Sequence, residues 1–217
     1  MAASQPVPVA TRKPRAGNVT RESIMATALR LFAQRGIDAV SLNEIVQVAK
    51  VNAAAIHYHF GSKDGLIEAI LRHNASALGE RRNELLDELE RRRRPSLRDV
   101  VKAMVDPIIE LKQTPTGLDY VRFLAGVSQH RRYSELLADI TARYTDRYLT
   151  ALERVTPKLS PASRLRRFAY ARTFVYQAVA TTDRTVELWM QVHGQTDDGS
   201  TAEDDLIDLL TAGINGP

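Results

Sequence analysis

The chain contains 217 residues, of which 44% are hydrophobic and 26% are charged, and its formal net charge is +4. This size and composition predict a globular protein with one domain, or with a small domain joined to a larger one. Because cysteine is absent, disulfides, thiolate metal sites and cysteine nucleophiles are excluded, which fits a reducing compartment. No run of about 18 apolar residues is present, so we expect a cytoplasmic protein without a membrane partner.

The positive charge is concentrated at the N-terminal end. Residues 1–64 contain eight Lys or Arg and four Asp or Glu, which leaves 22 basic and 22 acidic residues in the rest of the chain. This asymmetry indicates an anionic partner at that end, although a basic tail that only aids solubility explains it equally well. Residues 1–18 are predicted to form a flexible basic arm, in which Arg12, Lys13 and Arg15 either follow a DNA minor groove or have no role.

Signals for helix ends recur along the chain, while sustained alternation of apolar and polar residues is missing. The fold class is therefore predicted to be all-α. Ser41 and Glu44 form a predicted capping box, and Asn52 is a predicted helix cap. The N-terminal segment is predicted to hold helices at residues 20–35, 41–49 and 52–60, followed by a long helix that begins near Lys63.

Beyond Pro95 five further helices are predicted, near residues 97–113, 117–130, 134–156, 161–193 and 202–213. Their starts are indicated by capping pairs or by a proline at the first helical position: Ser96 with Asp99, Thr116 with Asp119, Ser160 with Pro161, and Thr201 with Asp204. The run from Glu80 to Arg94 is dense in both charge signs. We interpret it as a solvated face rather than as a nucleic-acid site.

The second and third predicted helices have the lengths and the tight turn of a helix-turn-helix, whose second helix enters a major groove. That helix begins with small residues, which let its backbone approach base edges. It then presents His57, Tyr58 and His59, which can contact phosphates or stack. Lys63 stands at the start of the next helix, where free amides favour a phosphate. These features predict double-stranded DNA as a partner.

A set of residues in the N-terminal segment stands at a characteristic spacing: Ile24, Leu31, Phe32, Gly36, Ser41, Ile45, Ala49, Val51, His59, Phe60, Lys63 and Leu66. In this unbroken segment the chain resembles the N-terminal signature of TetR-family transcriptional regulators. The stretch Val-Asn-x-Ala-Ala-x-x-Tyr-His-Phe-Gly-Ser-Lys at 51–63 is similar to one branch of that family, in which alanine replaces the usual glycine of the recognition helix.

The resemblance implies a role for each matching position. Phosphates would be held by Ser41, His57, His59 and Lys63, whereas bases or the groove wall would be faced by Asn52, Ala53, Ala54 and Tyr58. His57 stands where the family usually has tyrosine, which puts that phosphate contact in doubt. Lys50 is counted with the DNA-binding set. It stands where the turn usually has glycine, so it either adopts a left-handed conformation at a small cost or the turn is reshaped.

The two histidines of the third helix have alternative explanations. His59 could pack within the small domain instead of contacting DNA. A metal site at His57 and His59 is disfavoured, because residues two apart on a helix point about 200° apart. No metal and no cofactor is predicted.

The resemblance implies an N-terminal three-helix helix-turn-helix domain at 19–66 and a C-terminal helical ligand-binding and dimerisation bundle at 67–217. The two predicted helices 161–193 and 202–213 carry apolar stripes that could form a four-helix interface in a homodimer, or pack within one subunit. A small-molecule effector pocket could be lined by some of the aromatic and apolar residues between them and the first domain. We take as candidates Phe123, Tyr144, Tyr148, Phe174 and Trp189. Arg122 or His130 could fix a polar group of the ligand, and ordinary helical core is the alternative for each position.

The function expected from these features is sequence-specific transcriptional regulation, with a repressor released from its operator by a small-molecule effector. An enzyme is disfavoured, because the sequence has no Gly-rich phosphate loop, no HExxH and no nucleophile elbow. The alternative is a helical ligand-binding or interaction protein that binds no operator. Salt dependence separates the two, since phosphate contacts make affinity fall steeply with salt.

Overall fold

The computed structural model describes the backbone of residues 16–196 and 201–216, and the side chains of these residues except 16–19, 182–184 and 201. Within these ranges the chain forms helices and no strand, so the predicted all-α class is confirmed. The α-helices are α1 (Ala16–Arg35), α2 (Leu42–Ala49), α3 (Ala53–Phe60), α4 (Lys63–Arg91), α5 (Leu97–Lys112), α6 (Pro115–Ser128), α7 (Ser134–Val155), α8 (Pro161–Val192) and α9 (Thr201–Asn215). A short 3-10 turn, Arg131–Tyr133, precedes α7.

The predicted start of the first helix is wrong. α1 begins at Ala16 instead of Thr20, so the predicted arm 1–18 overlaps the first turn. Gly17 and Asn18 are weak helix formers, but a first turn tolerates them because its amides have no partners within the helix. The arm residues Arg12, Lys13 and Arg15 lie outside the described residues.

The start of α6 also differs from the prediction. The helix begins at Pro115, and its cap is Thr114 rather than Thr116. The Thr114 hydroxyl accepts a hydrogen bond from the amide of Gly117 at 3.0 Å. Proline fits the first helical position because it has no amide that needs a partner.

Helices α1 to α3 and the first turns of α4 enclose a small apolar core. Every residue of this core comes from the inner face of its helix or from the turn after α1: Ile24, Ala28, Phe32, Ile37, Val40, Ile45, Ile56, Leu66, Ile67 and Ile70. The turns on either side of α3 are closed by side-chain caps, which satisfy amides that a helix start leaves unpaired.

Helix α4 connects this core with the larger C-terminal bundle. Its 29 residues span about 44 Å at 1.5 Å per residue. Buried residues continue beyond the small domain at Leu78, Arg82, Leu86 and Leu89, so one rigid helix contributes to both parts. The first domain also packs on α6, where the rings of Phe32 and Phe123 stack with centroids 5.9 Å apart.

Helices α5 and α7 pack against α4, whereas α6, α8 and α9 each pack on α5, and α8 also contacts α6, α7 and α9. α5 begins with a full capping box, in which Ser96 and Asp99 exchange hydrogen bonds. α8 begins with the predicted Ser160 cap and Pro161 at the first position. No described helix is long and apolar enough to cross a membrane.

Candidate nucleic-acid interface and effector cavity

The turn between α2 and α3 is closed by backbone and side-chain hydrogen bonds. Ser41 caps α2 by accepting from the amide of Glu44 at 3.2 Å. The predicted reciprocal bond is missing among the described hydrogen bonds, because the Glu44 carboxylate pairs with Arg35 of α1 instead. This ion pair braces α2 against α1.

Lys50 ends α2 in the left-handed conformation, with φ 52° and ψ 43°, and it is the only described non-glycine residue with positive φ. Of the two alternatives that the sequence allowed, the structure therefore shows the strained backbone and not a reshaped turn. A side chain costs about 1 kcal/mol or more in this region. The exposed Lys50 side chain therefore projects from the turn between α2 and α3.

Helix α3 is divided into an outer and an inner face. Ala53, Ala54, His57 and Tyr58 are exposed, at the helical spacing of one face. Tyr58 is 85% exposed and has the most exposed ring among the large hydrophobic residues described. The outer face therefore offers small residues near the start of α3 and an aromatic side chain farther along.

The cap of α3 limits what Asn52 can contribute. Its Oδ1 accepts from the amide of Ala54 at 2.9 Å. The oxygen is thus used inside the protein, and the side-chain NH₂ group is left to face a partner.

The two histidines of α3 lie in different environments. His57 is exposed, and its Nδ1 lies 3.2 Å from the carbonyl of Gly61. In this hydrogen bond Nδ1 is the donor, because a carbonyl oxygen only accepts. His59 is half-buried with its ring edge-on to Tyr58 at 5.0 Å. No group of three or more potential metal ligands occurs in the described part of the chain.

Lys63, the first residue of α4, is turned towards the junction of the two domains. Its Nζ lies 5.8 Å from the centroid of Phe32. Partial burial lowers the pKa of the Lys63 ammonium, and the nearby Asp38 opposes this effect. A phosphate contact by Lys63 therefore requires its side chain to leave the Phe32 ring.

Polar contacts join the same junction to the turn before α7. The Tyr133 hydroxyl donates to Asp64 at 2.6 Å. Arg132 lies 3.5 Å from Asp38 and 4.0 Å from Asp64. His130, a candidate to fix the ligand, instead lies 3.8 Å from Asp38. These contacts tie the first turn of α4 and the loop before α2 to the C-terminal bundle.

Two adjoining cavities lie inside the C-terminal bundle, between α4, α6, α7 and α8 and extending to α5. The larger cavity has a volume of about 30 Å³ and the smaller about 10 Å³. Four side chains line both: Arg82, Tyr144, Arg172 and Tyr176. These four form the shared wall.

Two of the five predicted effector residues line these cavities, Tyr144 in both and Tyr148 in the smaller one. The other three line neither cavity. Phe123 is buried against Phe32, while Phe174 and Trp189 are 45% and 65% exposed on α8. Phe174 and Trp189 lie on the outer face of α8, whose inner face packs on α6. The apolar periodicity of α8 alone did not show which of its faces is buried.

Arg82 and Arg172 were missed, although they are the charged residues of the cavity wall. Arg82 lies in the charged run that we had interpreted as a solvated face, yet it is 3% exposed. The signal was its spacing, since it lies four residues after Leu78 and four before Leu86 on the buried stripe. Arg122, the other predicted polar contact, is exposed on α6.

Burial raises the pKa values of three tyrosines that line the cavities, Tyr120, Tyr144 and Tyr148, and so keeps them in the phenol form. The pKa of Tyr144 reaches about 12, and the neighbouring Arg82 guanidinium opposes the effect of burial. The wall therefore presents phenol hydroxyls and two guanidinium groups.

Family models match both parts of the chain. The model described as bacterial regulatory proteins, tetR family, matches residues 24–70. The model described as tetracyclin repressor-like, C-terminal domain, matches residues 102–213. The second range alone is more than half of the 217 residues.

Curated relatives are regulators of the helix-turn-helix type. AcrR of Shigella flexneri is 43% identical over 61 residues, 28% of each chain. BetI of Rhizobium meliloti is 27% identical over 141 residues, which are 64% of this chain and 67% of BetI. Mb3439c of Mycobacterium bovis is 35% identical over 99 residues, or 42% of this chain and 50% of that protein. The matched segments thus span from 28% to 67% of these relatives.

Solved structures share the fold over nearly the whole chain. A transcriptional regulator from Saccharomonospora viridis, solved in complex with choline, has a TM-score of 0.61 at 19% identity and covers 91% of this chain and 96% of its own. NalD, the secondary repressor of the MexAB-OprM multidrug efflux pump in Pseudomonas aeruginosa, has a TM-score of 0.60 at 18% identity and covers 91% and 97%. Together with the two family matches, these findings establish that the chain belongs to the TetR family of bacterial regulatory proteins.

Proposed function

We propose that this protein is a DNA-binding transcriptional repressor that a small-molecule effector releases from its operator. The observation that carries the proposal is the exposed face of α3, which is presented by a braced helix-turn-helix. Repressors such as NalD among the structural neighbours support this direction of regulation.

The outer face of α3 is the proposed reading surface. Ala53 and Ala54 let the backbone approach base edges, and the Asn52 amide and the Tyr58 ring meet bases or the groove wall. Ser41, His57 and Lys50, all exposed at the rim of this surface, contact phosphates. His59 and Lys63 are half-buried and add to phosphate binding only after rotating outwards.

The protein acts as a homodimer, because two recognition helices are needed to read two half-sites one helical turn apart. Exposed large apolar residues on α8 and α9 form the proposed dimer face: Tyr170, Phe174, Leu188, Trp189, Val192 and Leu209. Surfaces of this kind on a single subunit mark an interaction site. We thus reassign Phe174 and Trp189 from the effector pocket to this face.

The effector binds in the two adjoining cavities and acts through α4. Leu71, Ala75, Leu78 and Arg82 of α4 line the larger cavity. The same helix begins directly after α3, at the Ser62 cap. A ligand that enlarges the cavity displaces α4, and this displacement changes the spacing of the two recognition helices.

Choline, the ligand of the S. viridis regulator, is not proposed for this chain. A quaternary ammonium is bound by aromatic faces and acidic groups. The described residues that line the two cavities include two arginines and no carboxylate. A cationic ligand would be repelled there.

The test is binding of the purified full-length chain to the duplex upstream of its own coding region, beside a scrambled duplex of equal length. Affinity is measured at two salt concentrations. We expect a preference for the upstream duplex and a steep loss of affinity at higher salt. Equal, salt-insensitive binding of both duplexes would refute a regulator of its own promoter and favour a helical bundle that binds no operator.

A further inference from the structure

The arginines of the cavity wall differ from the ion-paired arginines of the surface. On the surface, Arg147 is paired with Asp87 and Glu90, and Arg81 with Glu84 and Glu110. Such pairing satisfies both the charge and the hydrogen bonds of a guanidinium. The arginines of the cavity wall lack this compensation.

Arg82 is buried among tyrosines. One of its terminal nitrogens donates to the Tyr176 hydroxyl at 3.1 Å, and its guanidinium carbon lies 4.5 Å from the centroid of the Tyr144 ring. Both partners are tyrosine side chains rather than carboxylates. No described hydrogen bond or ion pair joins Arg82 to a carboxylate.

Arg172 approaches the same wall from α8. It donates from one terminal nitrogen to the Thr141 hydroxyl at 3.0 Å. Its Nε is buried and has no hydrogen-bond partner. A buried donor of a charged group that has no acceptor destabilises the folded protein.

The two guanidinium groups share the cavity wall with Tyr144. Both line both cavities, and they are the only charged side chains among the described residues that do. The remaining walls are apolar or hydroxylic, with Leu71, Leu78, Leu124 and Ile140 as the large aliphatic contributors to the larger cavity. Two positive charges in an apolar enclosure are most strongly stabilised by an anion that enters it.

We propose that the effector is an organic acid, with its anionic head at Arg82 and Arg172 and its apolar body against the aliphatic wall. This inference rests on the proposed effector function of the cavity. The planar fork of a guanidinium binds a carboxylate through two parallel hydrogen bonds, and the free Nε of Arg172 is one such donor. Tyr176 adds a hydroxyl beside Arg82.

The volume of the larger cavity limits which part of such a ligand can enter without moving the walls. A water needs about 10–15 Å³ of cavity volume, so the larger cavity with about 30 Å³ holds roughly two waters. A carboxylate head fits this space, whereas an apolar body does not. The body must push the walls apart, and α4 carries four of the lining residues. An acid therefore moves α4, while a free inorganic anion fills the head site without moving it.

The test compares how tightly matched acids and amides bind to the full-length chain. Binding is measured by calorimetry and by the shift in the thermal unfolding temperature. The probes are benzoate, phenylacetate and hexanoate beside benzamide, phenylacetamide and hexanamide, with phenyl phosphate to separate carboxylate from phosphate recognition. We expect at least one acid to bind at least ten-fold more tightly than its amide. Phenyl phosphate binding in place of all three carboxylates would keep the anionic site but overturn the carboxylate assignment. Amides binding as tightly as their acids, or no binding by any anion, would overturn the proposal.

Two variants locate the site, and a third serves as the control. R172M and R82M should each weaken binding of the acid at least ten-fold. R172M should also raise the melting temperature of the ligand-free protein, because it removes a buried group with an unsatisfied donor. The control is R164M, which alters a buried arginine of the same helix that pairs with Glu153 at 3.2 Å and lines neither cavity. The Nε of Arg164, like that of Arg172, is buried without a hydrogen-bond partner, so the two variants share the loss of such a donor and differ in their position relative to the cavities. Unchanged acid binding in R172M, or an equal loss in R164M, would overturn the site.

The two proposals fail separately. Acid binding is measured without DNA, so a chain that binds acids but prefers no duplex keeps the anion site and loses the repressor function. A chain that binds its upstream duplex and no anion would support the repressor function and overturn the proposed acid site.

Discussion

The hydroxyl of Tyr133 donates a 2.6 Å hydrogen bond to the carboxylate of Asp64, and this bond joins the turn before α7 to the first turn of α4. Burial and the bond to Asp64 both raise the pKa of Tyr133, so the phenol stays protonated and keeps donating. Arg132 lies within reach of the same carboxylate. The DNA-binding helices and the C-terminal bundle thus meet at a polar contact as well as along α4.

Removing this contact should loosen the junction. Tyr133→Phe keeps the ring and deletes the donor, so we expect a loss of about 1–2 kcal/mol in the free energy of unfolding, because the bond is to a charged group. Urea denaturation measures this change. The matched control is Tyr58→Phe, whose ring is exposed. Equal effects of the two substitutions would show that the bond to Asp64 contributes nothing.

Lys50→Gly should separate stability from DNA binding. Glycine adopts the left-handed conformation without the steric cost of a side chain, so the free energy of unfolding should rise by about 0.5–1 kcal/mol. DNA affinity should fall and its salt dependence should lessen by about one ion, because a phosphate contact is lost. Lys50→Asn, which tolerates the same backbone conformation, is the control for the charge alone. A variant that is less stable than the parent would contradict the strain.

Tyr58→Ala should reduce the discrimination between operator and scrambled duplex by roughly ten-fold, since a base-facing contact contributes about 1–3 kcal/mol. Non-specific binding and the melting temperature should hardly change, because the side chain is exposed and touches little of the protein. Competition binding with both duplexes measures the ratio. A parallel loss on both duplexes would assign Tyr58 to the phosphate backbone instead.

Trp189 is the only tryptophan of the chain, so its fluorescence reports directly on the proposed dimer face. Dilution below the dimer dissociation constant should shift its emission to the red as the indole becomes hydrated. Trp189→Ser should weaken the dimer at least ten-fold in sedimentation experiments, as expected for a buried aromatic anchor. Val48→Ser, at an exposed apolar position on α2, is the control and should leave the dimer intact.

The capping box of α5 should make stability depend on pH. Hydrogen bonds from the backbone and side chain of Ser96, followed by the charge of Arg92, lower the pKa of Asp99. A lowered pKa contributes stability above the unfolded value of about 3.9, and this contribution is lost as the pH falls through the folded value. Asp99→Asn should therefore cost about 1 kcal/mol at pH 7, and the difference from the parent should shrink below about pH 4. A constant difference down to pH 2 would contradict the linkage.

Helix positions and the turn of the DNA-binding domain could be predicted from sequence because their causes are local. Ser41, Asn52 and Ser160 cap helices that begin one residue later, as their neighbours in the chain dictate. The left-handed conformation of Lys50 was one of two predicted alternatives, because it too depends on a local feature, the lack of glycine at that position of the turn. Thr116 failed because Thr114 and Pro115 offered an equally local but better start.

The two adjoining cavities could not be predicted from local sequence, because the residues that line them lie far apart in the chain. Arg82 is buried by Tyr144 and Tyr176, 62 and 94 residues further on, and nothing near Arg82 in sequence records them. Phe174 and Trp189 carry the same apolar character as core residues. Which side of α8 packs inwards is decided by its neighbours α6, α7 and α9.

Because α4 is one continuous helix, a tilt at its cavity end displaces its other end. Lys63 and Arg82 are 19 residues apart on one helix, about 29 Å along its axis. A tilt of only about 5° at the cavity moves the other end by about 2.5 Å, and in a two-fold dimer the two displacements add to about 5 Å. In the proposed dimer, whose half-sites would lie about 34–36 Å apart, such a tilt would change the spacing of the two recognition helices by roughly one seventh of that distance.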